Sequence, residues 1–90
     1  MGALIKVYRS ERYRAFIKEH PCLICGRTPC DPHHEPLGKA GTSIKAPDSH
    51  CVPLCFEHHS ELHNTGVKTF WKSIDVKMRI IEYLTEYLSQ

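Results

Sequence analysis

The sequence contains no long run of apolar residues. None of its 90 residues belongs to a segment that approaches the roughly 20 apolar positions needed for a membrane-spanning helix. The opening stretch "MGALIKVYRSERYR" has neither an apolar core nor a small-residue cleavage site, so it indicates no export signal. We therefore expect a cytoplasmic protein with no membrane partner, whose thiols stay reduced.

Internal repeats and low-complexity segments are also absent, which excludes a repeat architecture. Net charge is only +2, but residues 1–45 carry eight Lys/Arg against four Asp/Glu, whereas residues 46–90 carry four against six. The basic side chains of the first half are Lys6, Arg9, Arg12, Arg14, Lys18, Arg27, Lys39 and Lys45. This bias is compatible with a polyanionic partner, although most charged runs are solvated surface.

Cysteine and histidine, by contrast, are abundant. The chain has five cysteines and seven histidines, and a domain this short has a small hydrophobic core that a structural metal often supplements. An odd cysteine count in a reducing compartment favours metal ligation over disulfides.

The order of the predicted elements is a helix, a strand pair and three further helices. The segments are a helix over about 10–20, a metal-binding turn over 21–30, short strands and a loop over 31–54, a helix at "FEHHSELHN", and two helices within about 67–89. Ser10 is a typical N-cap, and Pro21 and Gly66 are typical helix ends. We predict one small α+β domain over residues 1–90, with its core at 21–66.

The last predicted helix is amphipathic. Its apolar stripe consists of Val76, Ile80, Leu84 and Leu88. Phe70 and Trp71 precede it and are expected to pack in the core beneath it.

The first predicted metal site is structural. "PCLICG" supplies Cys22 and Cys25, which at this spacing can hold one tetrahedral zinc from a single turn. Cys55 and His58 repeat the gap at the start of a predicted helix, where residues three apart share a face. We predict a structural zinc on Cys22, Cys25, Cys55 and His58. Cys51 or Cys30 in place of His58 is the rival set.

A second set of histidines remains after the zinc has its ligands. His59 and His63 are four residues apart on a predicted helix, the usual helical spacing for a transition metal. A third ligand must come from elsewhere, and His33 or His34 is the obvious donor. Adjacent side chains of a strand point to opposite faces. One of this pair can therefore bind the metal while its neighbour faces a reacting water.

In these cysteine- and histidine-rich segments the sequence resembles the His-Asn-His (HNH) endonucleases. The resemblance covers residues 22–63, through "CLICG", "CDPHH" and "VPLCFEHHSELH". Within that superfamily the chain is most similar to small phage and prophage nucleases of the Ref-like recombination-enhancement group. That likeness is carried by "CDPHH", "GTSIKAPDSHCVPLC", "HHSELHNTG" and "FW". It implies a zinc-stabilised ββα-metal (HNH) core with flanking N- and C-terminal helices.

The resemblance also implies roles for individual residues. His34 matches the general base, and His33, His59 and His63 match ligands of a catalytic metal. His50 stands nine residues before His59, at the position of the family's central Asn. In the family that Asn ties the hairpin loop together and helps to orient the base. A histidine can donate one hydrogen bond and do the same, or it can approach the metal.

By this resemblance the protein is a DNA endonuclease that leaves 5′-phosphate and 3′-hydroxyl ends. Its catalytic divalent metal would be Zn, Mg, Mn or Ni, and its setting a bacterial host cell in which a phage or prophage encodes it. A recombinase or another DNA-processing protein is a candidate partner. Two alternatives stay open: a non-catalytic zinc module that binds nucleic acid or a protein, and a nuclease disabled by the Asn-to-His change.

Overall fold

A computed structural model describes residues 7–36 and 46–90. The elements are α1 (Glu11–Lys18), β1 (Asp31–His34), a 3-10 turn (Asp48–His50), β2 (Cys51–Leu54), α2 (Phe56–Thr65), α3 (Val67–Trp71) and α4 (Val76–Leu88). A two-stranded sheet with helices confirms the predicted α+β class. Most of the predicted loop, with Lys39 and Lys45, and also Lys6, lies outside the described residues. Across the described ranges, no helix combines the length and apolar character needed to cross a bilayer.

Helix α1 begins where its capping residue predicts. Ser10 has extended backbone angles, and its side-chain oxygen accepts a hydrogen bond from the Tyr13 amide at 3.0 Å. Tyr13, Phe16 and Ile17 form the buried face of the helix. The last helical residue is Lys18, shortly before Pro21.

The two strands form an antiparallel pair that is covered on both faces. The register places His33 opposite Val52 and His34 opposite Cys51. All four residues of β2 are buried, because Val52 and Leu54 pack with Trp71 and Ile80 on one side. On the other side, Cys51 packs with the buried face of α1. The strand alternation therefore directs the adjacent histidines of β1 into two different environments.

Gly66 separates α2 from α3. Its φ of 91° lies in the region that L-residues rarely adopt. It ends α2 as the C-cap and precedes Val67 as the N-cap of α3. The short helix α3 ends at Trp71, which is buried against β2. Its C-cap is Lys72, a non-glycine residue at φ 38°. The predicted core role of Trp71 is confirmed, and Phe70 packs partly buried against the same cluster.

The apolar stripe predicted for α4 is only partly correct. Ile80 is buried, and Val76 and Leu84 pack against the core, but Leu88 is 78% exposed. Successive steps of four residues drift by about 40° around a helix with 3.6 residues per turn. Three such steps turn Leu88 away from the core, and Tyr87 takes the corresponding place against α1.

Candidate metal centres

Four predicted ligands come together in a group called here the cysteine cluster: Cys22, Cys25, Cys55 and His58. Cys22 and Cys25 lie in the turn before β1, while Cys55 is the N-cap of α2 and His58 lies in its first turn. One ligand atom from each residue lies within 4.8 Å of all the others. The turn is closed by hydrogen bonds from the Cys22 amide to the Arg27 carbonyl and from the Gly26 amide to the Cys22 carbonyl.

The atom spacings of the cysteine cluster suit a tetrahedral zinc. Zn–S and Zn–N bonds of ordinary length correspond to tetrahedral edges of about 3.8 Å between sulfurs and about 3.6 Å between sulfur and nitrogen. Here the Cys25 and Cys55 Sγ atoms are 3.8 Å apart. His58 Nδ1 lies 3.3 Å from Cys55 Sγ and 3.7 Å from Cys22 Sγ. The cluster could therefore hold a metal such as zinc.

The thiols differ in how readily they ionise. Burial opposes the thiolate of Cys22, but hydrogen bonds from the backbone of Cys55, Cys25 and Ile24 outweigh it and lower the Cys22 pKa to about 6. Cys30 behaves in the opposite way, because burial raises its pKa to about 11, and its thiol donates to the Arg27 carbonyl. A neutral buried thiol is a poor ligand, and Cys30 stands outside the cluster.

A second group, called here the histidine cluster, contains His33, His59 and His63. Ring nitrogens from all three lie within 4.8 Å of one another. His33 comes from β1, and the other two lie one turn apart on α2 with ring centroids 4.8 Å apart. Of the adjacent pair on β1, His33 is therefore the one that faces the helical histidines.

The donor set and spacing of the histidine cluster also fit a metal ion. His33 Nδ1 lies 3.3 Å from His59 Nε2, and Zn–N bonds of ordinary length correspond to a tetrahedral N···N edge of about 3.3 Å. Burial, followed by the neighbouring His33 and His63 rings, lowers the pKa of His59. The neutral imidazole that binds metals is thereby favoured.

Acidic side chains lie behind two of these imidazoles. Glu35 Oε1 accepts a hydrogen bond from His33 Nε2 at 2.9 Å. The Asp31 carboxylate lies 3.7 Å from His59 Nδ1, where it interacts electrostatically. In both rings the nitrogen that faces the carboxylate is the one that points away from the cluster, an arrangement common behind metal-bound histidines.

His34 turns to the other face of β1. Its Nε2 donates to Asp48 Oδ1 at 2.8 Å, and its side chain is 15% exposed. Because the ring proton lies on Nε2, the lone pair of the neutral ring lies on Nδ1. The pair has the arrangement of a base and its orienting carboxylate.

Asp48 is fully buried and is held mainly by the N-terminal segment. Its Oδ2 accepts from the Ser10 amide at 2.7 Å, and Arg9 and Arg14 lie 3.2 and 3.6 Å from its carboxylate. Burial raises the pKa of Asp48, but the Ser10 amide, His34 and Arg14 outweigh it and hold the pKa below its usual value. Although His34, Asp48 and Cys51 also lie close together, two guanidinium groups already balance this carboxylate, so a cation is not favoured there.

His50 joins neither cluster. It lies in the 3-10 turn, where its amide donates to the Pro47 carbonyl and its own carbonyl accepts from the Glu35 amide. These backbone hydrogen bonds tie the turn to the end of β1. The His50 Nδ1 atom is buried with no hydrogen-bond partner among the described residues.

Sequence reasoning missed the carboxylates that support the histidines. Glu35 follows His33 by two residues and so lies on the same face of an extended strand. This spacing in the sequence already indicates that the two side chains are neighbours. Asp48 gives no local signal, since it approaches His34 only through folding. Of the basic side chains considered compatible with a polyanionic partner, Arg9 and Arg14 contact Asp48, and Arg27 pairs with Glu57.

Comparisons with known proteins found a family and a relative to which this chain is similar. A family model described as "Protein of unknown function (DUF968)" matches residues 5–84. The chain belongs to the DUF968 family. The matched range contains every member of both clusters, together with Glu35 and Asp48.

One curated relative of this DUF968 chain is "Uncharacterized protein YdfU" of Escherichia coli (strain K12). The two are 43% identical over 58 residues, which is 63% of this chain and 17% of that protein. The chain thus corresponds to a small part of its relative's length. No solved structure matches the chain.

Proposed function

We propose that this chain is a metal-dependent endonuclease of the HNH type that hydrolyses phosphodiester bonds in DNA. The observation that carries the proposal is that two adjacent histidines have different surroundings. His33 faces the helical histidines His59 and His63, whereas His34 is hydrogen-bonded to the buried Asp48. Adjacent residues of one strand thus supply a candidate metal ligand on one face and a candidate base on the other.

In the proposed reaction, His34 Nδ1 takes a proton from water as the water attacks phosphorus in line with the departing 3′ oxygen. Asp48 holds the other ring nitrogen, which keeps the ring oriented and stabilises the imidazolium that forms. A metal bound by His33, His59 and His63 would polarise the phosphate and stabilise charge on the leaving oxygen. The cysteine cluster holds the turn before β1 against the start of α2, and so supports the relative positions of His33 and His59.

The substrate class is supported by charge as well as by the site. Arg12 and Lys18 lie exposed on α1, and side chains of this kind position a nucleic acid by contacting its phosphates without reading the bases. We propose cleavage of DNA with little sequence preference. The phage or prophage setting and a recombinase partner stay predictions that rest on the resemblance alone.

A plasmid-nicking assay tests the proposal. The purified chain, carrying its structural zinc, is incubated with supercoiled plasmid and Mn²⁺, Ni²⁺, Zn²⁺ or Mg²⁺ in turn. His34→Ala is expected to lose nicking by roughly 10²–10⁴-fold, the usual contribution of a general base, with its metal content unchanged. The matched control is His20→Ala, which removes a histidine that contacts Glu86 outside both clusters and should retain nicking.

Two results would overturn the proposal. One is a wild-type protein that holds two metals per chain and nicks DNA with none of the four cations. The other is a His34→Ala variant that nicks as fast as wild type. A chain that binds nucleic acid and only the structural metal would instead support a non-catalytic zinc module.

A further inference from the structure

Glu35 is a buried carboxylate in direct contact with the histidine cluster. It is 2% exposed, and its Oε1 accepts hydrogen bonds from His33 Nε2 and from the Trp71 indole N–H, each at 2.9 Å. Its amide donates to the His50 carbonyl at 3.2 Å, which fixes the backbone from which the side chain extends. One oxygen atom therefore joins β1 to α3 through two side-chain donors.

The surroundings of Glu35 do not balance its charge. Within residues 7–36 and 46–90, the ion-pair partner of Glu35 is the His33 ring alone, and Trp71 is a neutral donor. Burying a carboxylate without a nearby cation is costly. Asp48 shows the contrast, since it is equally buried but has two guanidinium groups beside it. A cation at the histidine cluster would supply the missing positive charge across one imidazole ring.

We propose that Glu35 is the positioning residue of the histidine cluster: it holds His33 with its proton on Nε2, so that Nδ1 faces the metal, and it links metal binding to Trp71. The proposal rests on the proposed catalytic metal and adds to it a carboxylate that sets affinity. Because His33 Nε2 donates to Glu35, the lone pair lies on Nδ1, the atom that stands 3.3 Å from His59 Nε2. The same carboxylate oxygen accepts from the Trp71 indole on α3, so a change at His33 on metal binding also alters this hydrogen bond. Trp71 is the only tryptophan in the chain.

The first test measures zinc affinity by competition with a chelator, after the cysteine cluster has been filled. Glu35→Gln keeps the shape of the side chain and removes its charge. It is expected to weaken the second zinc by roughly 10–100-fold, the usual effect of removing a carboxylate behind a histidine ligand, and to leave the first zinc unchanged. Glu61→Gln is the matched control, because Glu61 is an exposed residue of α2 and its loss should alter neither affinity.

The second test is spectroscopic, and its main measurements use the wild-type chain, so that they hold even if the variant does not fold. In ¹⁵N-labelled protein, His33 should show a protonated Nε2 before and after zinc addition, and the shift on binding should appear at Nδ1. The single Trp71 indole N–H signal should move as the second zinc binds, and in Glu35→Gln that movement should be much reduced. A merely structural Glu35 would leave the indole signal unresponsive to zinc.

The outcomes separate this inference from the proposed function. If wild type binds no second zinc, the Glu35 inference fails, and the metal-dependent nuclease fails with it only if none of the four cations supports nicking. If wild type binds two zincs and nicks DNA, but Glu35→Gln has wild-type affinity or His33 binds zinc through Nε2, only the role of Glu35 is overturned.

Discussion

Replacing Asp48 with Asn should cost both stability and activity, because this one carboxylate joins α1 to the proposed base. Two of its donors are the Ser10 amide at 2.7 Å on Oδ2 and His34 Nε2 at 2.8 Å on Oδ1. Asparagine has a single acceptor oxygen, so one of these two donors would face an NH₂ group. Arg9 and Arg14 would also lose the negative charge of this carboxylate, although partial exposure lets water replace much of it.

The magnitude follows from these contacts. Leaving a buried donor unsatisfied and losing hydrogen bonds to a charged acceptor together cost about 2–4 kcal/mol of unfolding free energy. If the amide oxygen stays with the Ser10 amide, the NH₂ group faces His34 and forces its ring proton from Nε2 to Nδ1. The wrong tautomer cannot accept a proton from water at Nδ1, so we expect nicking to fall by roughly 10²–10⁴-fold.

Urea unfolding with both metals at saturation measures the first effect, and plasmid nicking measures the second. Asp75→Asn is the matched control. Asp75 caps α4 by accepting from the Met78 amide at 3.1 Å, and Asn caps helices about as well as Asp. An Asp48→Asn variant with the stability of the control and full nicking activity would refute the assigned role of this carboxylate.

Three further predictions concern the cysteine cluster and the core. Cys22→Ser should remove the structural zinc and unfold the domain, because such a metal supplies much of a small domain's folding free energy. Elemental analysis and circular dichroism measure the two effects. The control Cys30→Ala, which removes a thiol outside the cluster, should keep its zinc. Zinc affinity of the cluster, measured by chelator competition from pH 5 to 8, should fall more steeply below about pH 6, where most of the Cys22 thiol is protonated. An unchanged slope would contradict the lowered pKa. Ile80→Ala should lower the free energy of unfolding in urea by about 2–4 kcal/mol, since it leaves a cavity at a buried site. Leu88→Ala, at a residue 78% exposed, should cost little. Equal losses would show that the two positions are equally buried.

The grouping of side chains in the two clusters could be predicted because most of its geometry is local. Cys22 and Cys25 share one turn, and Cys55, His58, His59 and His63 lie within the cap and first two turns of α2. Spacings of three and four residues place such pairs on one helical face whatever the rest of the chain does. The N-cap of α1 and the glycine at the end of α2 were predictable for the same reason. The exposure of Leu88 also follows from local helix geometry. Over three steps of four residues the side chains turn too far around the helix to lie on one stripe.

The sequence by itself determined which side chains have the chemistry to bind metal and how each local group is spaced, because turn and helix geometry follow from residues a few positions apart. Only the tertiary structure decided that His33 faces α2 while His34 meets Asp48, since the strand register and the packing of α1 assign the two faces of β1. It also decided that Glu35 and Trp71, 36 residues apart, share one buried hydrogen bond. Contacts over that distance depend on how the whole chain closes around its core, and no local pattern encodes them.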